Sequence, residues 1–221
     1  MKTFSKQLPN KNPNLKKVII ASLINVFGFL FLTNFTKITN IPYVSFFGLL
    51  TFGLVAFYLA FGLDSIKILF QRPKHPIRNI LIYLTLALII GFATSLVLKA
   101  LIPTLQGNPE NGRPIWFYFL IMPFALLGEE VFSLFWYELA SIKFSPLLSS
   151  LISATIFGLM HFSTYFDGSA ITTLVHVLLL QSVSRIIFNR AYQKSGSIWC
   201  SFGVHYILDL ILFMFPILFQ R

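Results

Sequence analysis

The sequence predicts an all-α fold, a polytopic transmembrane helix bundle of about seven spans, and three observations predict it. Of 221 residues, 56% are hydrophobic and only 11% charged, with 26 Phe. The mean hydropathy of +0.78 lies far above that of an ordinary soluble domain. The apolar residues also fall into successive runs, most of them near the ~20 residues a helix needs to cross a bilayer.

The elements follow in order. A polar tail opens the chain, with Lys2, Lys6, Lys11, Lys16 and Lys17 among Pro and Asn. The first apolar run, Val18–Phe35, follows that basic tail as a signal peptide would, but no small-residue cleavage site comes after it. It reads as an uncleaved helix. The second run, Tyr43–Leu63, ends at Asp64, and the third covers Ile80–Ile102. Between Pro103 and Pro114 lie Gly107, Asn108, Pro109 and Gly112, a turn-rich loop expected outside the cell. The remaining runs are Ile115–Ala140, Leu147–Phe166, Ile171–Phe188 and Ile198–Phe219. Tyr43, Trp116, Trp136 and Trp199 suit interfacial or packing roles. This divides the chain into a basic cytoplasmic tail (1–17), three N-terminal helices with the external loop (18–114) and a C-terminal four-helix core (115–221).

The formal charge of +10 would suggest nucleic acid in a soluble protein. Here the basic residues gather in short loops between apolar runs, so they read as topology signals and lipid-headgroup contacts, with no nucleic-acid partner. A cytoplasmic N-terminus puts the tail lysines, Lys67, Arg72, Lys74, Arg78, Lys143, Arg185, Arg190 and Lys194 inside. Only Lys37, Lys99, Arg113 and Arg221 fall outside, so the positive-inside rule favours that orientation. The lone Cys200 excludes an intramolecular disulfide and any cysteine-based metal cluster, and is expected to pack within a helix.

Against this background two adjacent acids stand out. Glu129 and Glu130 interrupt the fourth run. A charged side chain at mid-bilayer costs at least ~2.5–3.5 kcal/mol on insertion scales, so ionisable groups there are usually functional. His161 lies on the fifth run and His205 on the seventh, with Asp209 one turn further at i,i+4. A carboxylate and imidazoles at one buried site can deprotonate a water. Asp209 is positioned to fix the His205 tautomer or, with it, to hold an oxyanion or a metal. Two histidines and a glutamate (Glu129, His161, His205) also form a plausible zinc set, so zinc is a candidate cofactor. His-Glu-x-x-His, Gly-x-Gly-Asp and Gly-x-Ser-x-Gly signatures are missing. His176 fits no motif and is expected as a core or interface residue, and His75 as a solvated loop residue. Glu138 and Asp167 read as ordinary edge positions.

These residues carry a resemblance. Gly128-Glu129-Glu130-Val131-Phe132-Ser133-Leu134 is similar to E-E-x-x-x-R, Phe157-Gly158-Leu159-Met160-His161 to F-x-x-x-H, and His205-Tyr206-Ile207-Leu208-Asp209 to H-x-x-x-N/D. Lys194–Trp199 resembles the small polar turn that leads into the last helix. In order, spacing and placement on successive spans the motifs resemble the CPBP family of intramembrane proteases. That family includes type II CAAX prenyl endopeptidases and bacterial Abi proteins linked to bacteriocin immunity and peptide processing. The resemblance runs from about Phe117 to Leu212. It implies an endopeptidase, a metalloprotease by one reading of the family, in which Glu129 activates water with help from His161. Glu130 would orient, and His205 and Asp209 would bind the oxyanion or complete the site. It further implies a peptide or protein substrate, membrane-associated or prenylated, in an integral membrane protein. The Phe, Ile, Lys and Asn content is compatible with an AT-rich bacterial genome, so the expected setting is a bacterial plasma membrane.

One position departs from the pattern. Leu134 stands where the motif has arginine, so Glu130 lacks its local cation, and Arg185 on the sixth run is the candidate substitute. The departure supports an alternative, a non-catalytic membrane immunity or binding protein on the same fold. A proton-coupled transporter would use the acidic pair as a relay, and the lack of an internal repeat argues against it.

Overall fold

A computed structural model describes residues 13–41, 43–102 and 112–219. Among them the chain is helical, with ten α-helices and no strand. The helices are α1 (Leu15–Thr39), α2 (Val44–Phe61), α3 (Leu63–Leu69), α4 (Pro76–Leu101), α5 (Ile115–Leu120), α6 (Met122–Ser141), α7 (Pro146–Met160), α8 (Ala170–His176), α9 (Ser182–Ser195) and α10 (Ile198–Phe219). A five-residue π-helical segment, Val177–Gln181, joins α8 to α9. Each of the seven apolar runs carries helix. The tail lysines Lys2, Lys6 and Lys11, the loop residues Gly107, Asn108 and Pro109, and Arg221 lie outside the described residues.

Four helical stretches, Leu15–Phe35, Val44–Phe61, Pro76–Leu101 and Ala170–Ser195, are long and apolar enough to cross a membrane, and Pro146–Met160 and Ile198–Met214 are shorter apolar helices. The protein is an integral membrane helix bundle. Its surface agrees: Leu23, Phe27 and Leu30 on α1 and Leu81, Ile89, Phe92 and Val97 on α4 are exposed. An apolar surface of that extent belongs in lipid rather than water.

Local chemistry sets the boundaries. Gly62 ends α2 at φ 85°, and Gly196 ends α9 at φ 72°, the left-handed region that favours glycine. Ser145 and Ser169 cap α7 and α8 by accepting from the backbone N–H of Leu148 and Thr172. The fourth run is broken at Ile121, because Pro123 has no N–H to donate back to Phe119 and its ring would strike that carbonyl. The fifth run stops as a helix at Met160, short of the expected Phe166, and His161 is its C-cap.

Helix α6 lies at the centre, packed against α2, α7 and α10, while α9 fills the space between α7, α10 and α4. Close approach there depends on glycine. A Cβ on Gly128 would sit 2.8 Å from the Leu50 backbone N of α2, and one on Gly158 2.8 Å from the Val177 carbonyl oxygen of the π segment. The loop after α3 is fastened to the α9–α10 turn by Gln71 Nε2–H to the Gly196 carbonyl (2.7 Å) and Lys74 N–H to the Ser195 carbonyl (2.9 Å). That turn is the small polar segment expected before the last helix.

Two sequence expectations need correction. Arg185 is not a cytoplasmic loop signal: it is fully buried inside the bundle, so it drops out of the topology count. Glu138 is not an edge residue but buried, where Tyr192 of α9 reaches its end of α6 and donates its hydroxyl to Glu138 Oε1 at 2.6 Å. Cys200 and His176 are buried, and His75 is exposed, as expected.

Candidate active site

Four helices bring the sequence-selected residues together. Helix α6 contributes Glu129 and Glu130, the end of α7 contributes His161, α9 contributes Arg185, and α10 contributes His205 and Asp209. His161 Nε2 lies 3.7 Å from Glu129 Oε2, and His205 Nε2 lies 3.9 Å from the same oxygen. Asp209 Oδ2 is 3.7 Å from His205 Nε2. Glu129 is thus beside both imidazoles, at distances longer than a direct hydrogen bond and within reach of one shared water.

The partners of the other ring nitrogens fix the imidazoles. His161 Nδ1 is 2.8 Å from the Phe157 carbonyl oxygen. A carbonyl only accepts, so Nδ1 carries the proton and Nε2 of the neutral ring turns a lone pair towards Glu129. This contact requires the turn at the end of α7, where the His161 ring folds back over Phe157 with ring centres 4.7 Å apart. His205 Nδ1 is 3.0 Å from Glu130 Oε1, and its ring stacks on Phe188 at 4.6 Å. Sequence reasoning left Asp209 either to fix this tautomer or, with His205, to hold an oxyanion or a metal. The structure gives the Nδ1 contact to Glu130 and sets Asp209 against Nε2 instead.

Glu130 has found its cation. Arg185 Nη1 donates to Oε1 at 2.6 Å and Nη2 to Oε2 at 3.1 Å, a two-pronged pair with both side chains fully buried. Leu134, at the position of the motif arginine, is buried among Ala56, Phe57 and Phe135. Asn189 and Ser150 were missed in the sequence. Asn189 Oδ1 accepts from Arg185 Nε at 2.9 Å, and Asn189 Nδ2 donates to Ser150 Oγ at 3.1 Å. The signal was present as two polar residues at i,i+4, Arg185 and Asn189, on one face of an apolar run. The π segment was not visible: Ser182 N–H bonds the Val177 carbonyl five residues back, inserting one residue and turning that face inward.

The donor types of Glu129, His161 and His205 suit zinc, and each imidazole has its second nitrogen anchored as liganding histidines do. Among the described residues, however, no three His, Cys, Asp or Glu side chains form a metal-binding group. No step below passes through an ion.

The fold and the site together define a class, a membrane helix bundle with a carboxylate–imidazole cluster inside it. Residues 111–211, just under half of the chain, match the family model described as type II CAAX prenyl endopeptidase Rce1-like. That stretch is thus similar to the CPBP family of CAAX-protease-like intramembrane endopeptidases. No curated protein and no solved structure matches it.

Proposed function

We propose that the protein is an intramembrane endopeptidase that hydrolyses a peptide bond with water activated by Glu129. One observation carries the reading, the graded access of the charged groups. The Arg185 and Glu130 side chains are 0% exposed, whereas Glu129, His161 and Asp209 keep 15%, 16% and 20%. A cluster serving only to hold helices would be sealed throughout. Here the orienting pair is sealed, and the groups that would meet water and substrate open outward.

In the proposed reaction a water between Glu129 and His161 gives its proton to the Glu129 carboxylate while its oxygen attacks the scissile carbonyl carbon. The carbonyl π pair moves to oxygen. In its protonated form the His205 ring, whose Nδ1–H is held by Glu130, donates to this oxyanion from Nε2, with the Asp209 carboxylate balancing its charge. Collapse reforms the carbonyl, breaks the C–N bond and sends the Glu129 proton to the leaving amine. No covalent intermediate forms.

The substrate class proposed is a peptide reached from the cytoplasmic side or laterally from lipid, with prenylated CAAX chains as the family precedent. A bacterial plasma membrane with the N-terminus inside is the proposed setting, and peptide processing or self-immunity to a bacteriocin the proposed role. The test uses the purified full chain in lipid nanodiscs with an internally quenched peptide ending in a farnesylated CAAX sequence, beside the same peptide without the lipid. Glu129→Gln keeps volume but removes the base. The expected loss in kcat is ~10²–10⁴-fold, the usual yield of general-base catalysis. His161→Ala should disable the same step, and the double variant should be little worse than either single, since groups acting as a unit are not additive. Hydrolysis at the wild-type rate by a folded Glu129→Gln protein would leave a binding protein on this fold as the better account.

A further inference from the structure

We propose that Arg185 is a positioning residue of the hydrolytic site: from α9 it takes over from the arginine absent at position 134, clamping Glu130 so that Glu130 fixes the ring and tautomer of His205.

Four observations carry this. First, position 134 offers no cation. Leu134 is one helical turn from Glu130 but lies in the apolar cluster with Ala56, Phe57 and Phe135. Second, the clamp is rigid at both ends. The guanidinium meets both Glu130 oxygens at 2.6 and 3.1 Å, and its Nε–H is held by Asn189 at 2.9 Å, which in turn holds Ser150 of α7. Its carbon also lies 5.7 and 5.5 Å from the ring centres of Phe157 and Phe188. Third, the same two residues also set the imidazoles. The Phe157 carbonyl takes His161 Nδ1–H, and the Phe188 ring stacks on His205. Arginine, Glu130 and both histidines therefore share one frame.

Fourth, the geometry runs in one direction. Glu130 Oε1 accepts from Arg185 Nη1 and from His205 Nδ1. The terminal torsion of a glutamate has broad, roughly two-fold preferences, so an unclamped carboxylate samples orientations that lose the imidazole. With the fork in place the plane is set and His205 Nε2 faces Glu129 and Asp209. Lysine presents a point charge and cannot make this two-pronged contact. The π segment completes the device, because its one added residue turns Arg185 and Asn189 towards α6 and α7 together.

The effect on rate rests on the hydrolytic reading; the tautomer does not, and the experiment separates them. Full-length protein with ¹⁵N-labelled histidine is prepared in nanodiscs as wild type, Arg185→Lys and Arg185→Met, and His205 is assigned by comparison with His205→Gln. Imidazole ¹⁵N spectra then report which nitrogen bears the proton, while kcat and KM are measured on the farnesylated quenched peptide. The wild type should show His205 with Nδ1 protonated throughout. Arg185→Met should show both neutral tautomers and a kcat lower by ~10²-fold, the scale of a small misplacement of a reacting group, with KM within about threefold. Arg185→Lys keeps the charge, so it remains informative if the methionine variant does not fold. It should show a roughly tenfold loss in kcat at unchanged KM and partial loss of the single tautomer. A folded Arg185→Lys or Arg185→Met protein that keeps both the single tautomer and the wild-type kcat overturns the proposal. If the wild type cleaves neither peptide, the hydrolytic reading fails, and the tautomer spectra alone decide the clamp.

Discussion

Gly128 is the position where fold and chemistry can be perturbed by one methyl group. A Cβ there would stand 2.8 Å from the Leu50 backbone N, 3.3 Å from the Leu49 backbone carbon and 3.3 Å from the Leu49 Cβ, where ordinary contact begins at 3.4 Å. The shortest contact is to main chain within α2, which cannot swing aside as a side chain can. In Gly128→Ala the two helices must therefore separate by about 0.6 Å at this crossing, a shift of the kind that overpacking forces on a close-packed interior. Overpacking of that kind costs ~1–3 kcal/mol, against a gain of up to ~1 kcal/mol from replacing a helix-interior glycine. The net loss in stability is small, between nothing and ~2 kcal/mol by the same figures. The chemical consequence is larger, because the displaced segment carries Glu129 and Glu130. A misplacement of 1 Å can lower a rate ~10²-fold, so about 0.6 Å should lower kcat/KM roughly tenfold. The assay is thermal unfolding in nanodiscs together with hydrolysis of the quenched peptide. Gly91→Ala on α4 is the control, since nothing lies within 4 Å of a Cβ there. If Gly128→Ala matches Gly91→Ala in both melting temperature and rate, the close crossing does not position the acids.

Two further outcomes are expected. Adding one alanine after Leu179 gives the segment a residue more than its single wide turn absorbs, so α9 should rotate by ~100° relative to α8, the turn per residue of an α-helix. The protein should still insert but hydrolyse nothing, and a wild-type rate from the insertion would remove the π segment from the positioning argument. In a Cys200→Ser background, a cysteine at Gln193 should react with an impermeant thiol reagent only after cells are opened, and one at Asn108 in intact cells. Labelling of both from the same side rejects the proposed orientation.

Much of the fold was legible because hydropathy reads where chain can rest in lipid, and lipid forces helix on any spanning segment. That logic is blind to partners across helices. It ended the fifth run at Phe166, six residues beyond the helix, because Phe162, Tyr165 and Phe166 are apolar enough to continue it. The actual end at Met160 is what lets His161 turn back onto the Phe157 carbonyl. It also counted Arg185 with the loop cations, since a lone arginine near the end of a run reads as a topology signal until its acid is seen. Glu138 was misplaced for the same reason, its partner Tyr192 being 54 residues further on. The acids and histidines of the centre were found because polar residues of those types in apolar helices are conspicuous and fall in motif order. Their mutual distances, and which of Glu130 and Asp209 meets which nitrogen of His205, depend on ring orientations that spacing does not encode.

The loss of the motif arginine at position 134 is the strongest argument in the sequence for a decayed site, and the buried Arg185–Glu130 pair bears directly on it. Burying a guanidinium and a carboxylate together costs several kcal/mol per ion in desolvation, and a well-packed apolar pair in their place is often neutral or stabilising. A chain that needed this region only as a helix interface would gain by replacing Glu130 once its local cation was gone. Instead the pair is complete, with Arg185 reaching across from α9, Asn189 and Ser150 holding Arg185, and a one-residue insertion in the helix aiming it. The carboxylate so held is the one that touches His205 Nδ1, while Glu129 and His161 keep their opening to the outside of the cluster. The proposed reading, an imidazole oriented beside a water-activating carboxylate, gives each of these contacts a role.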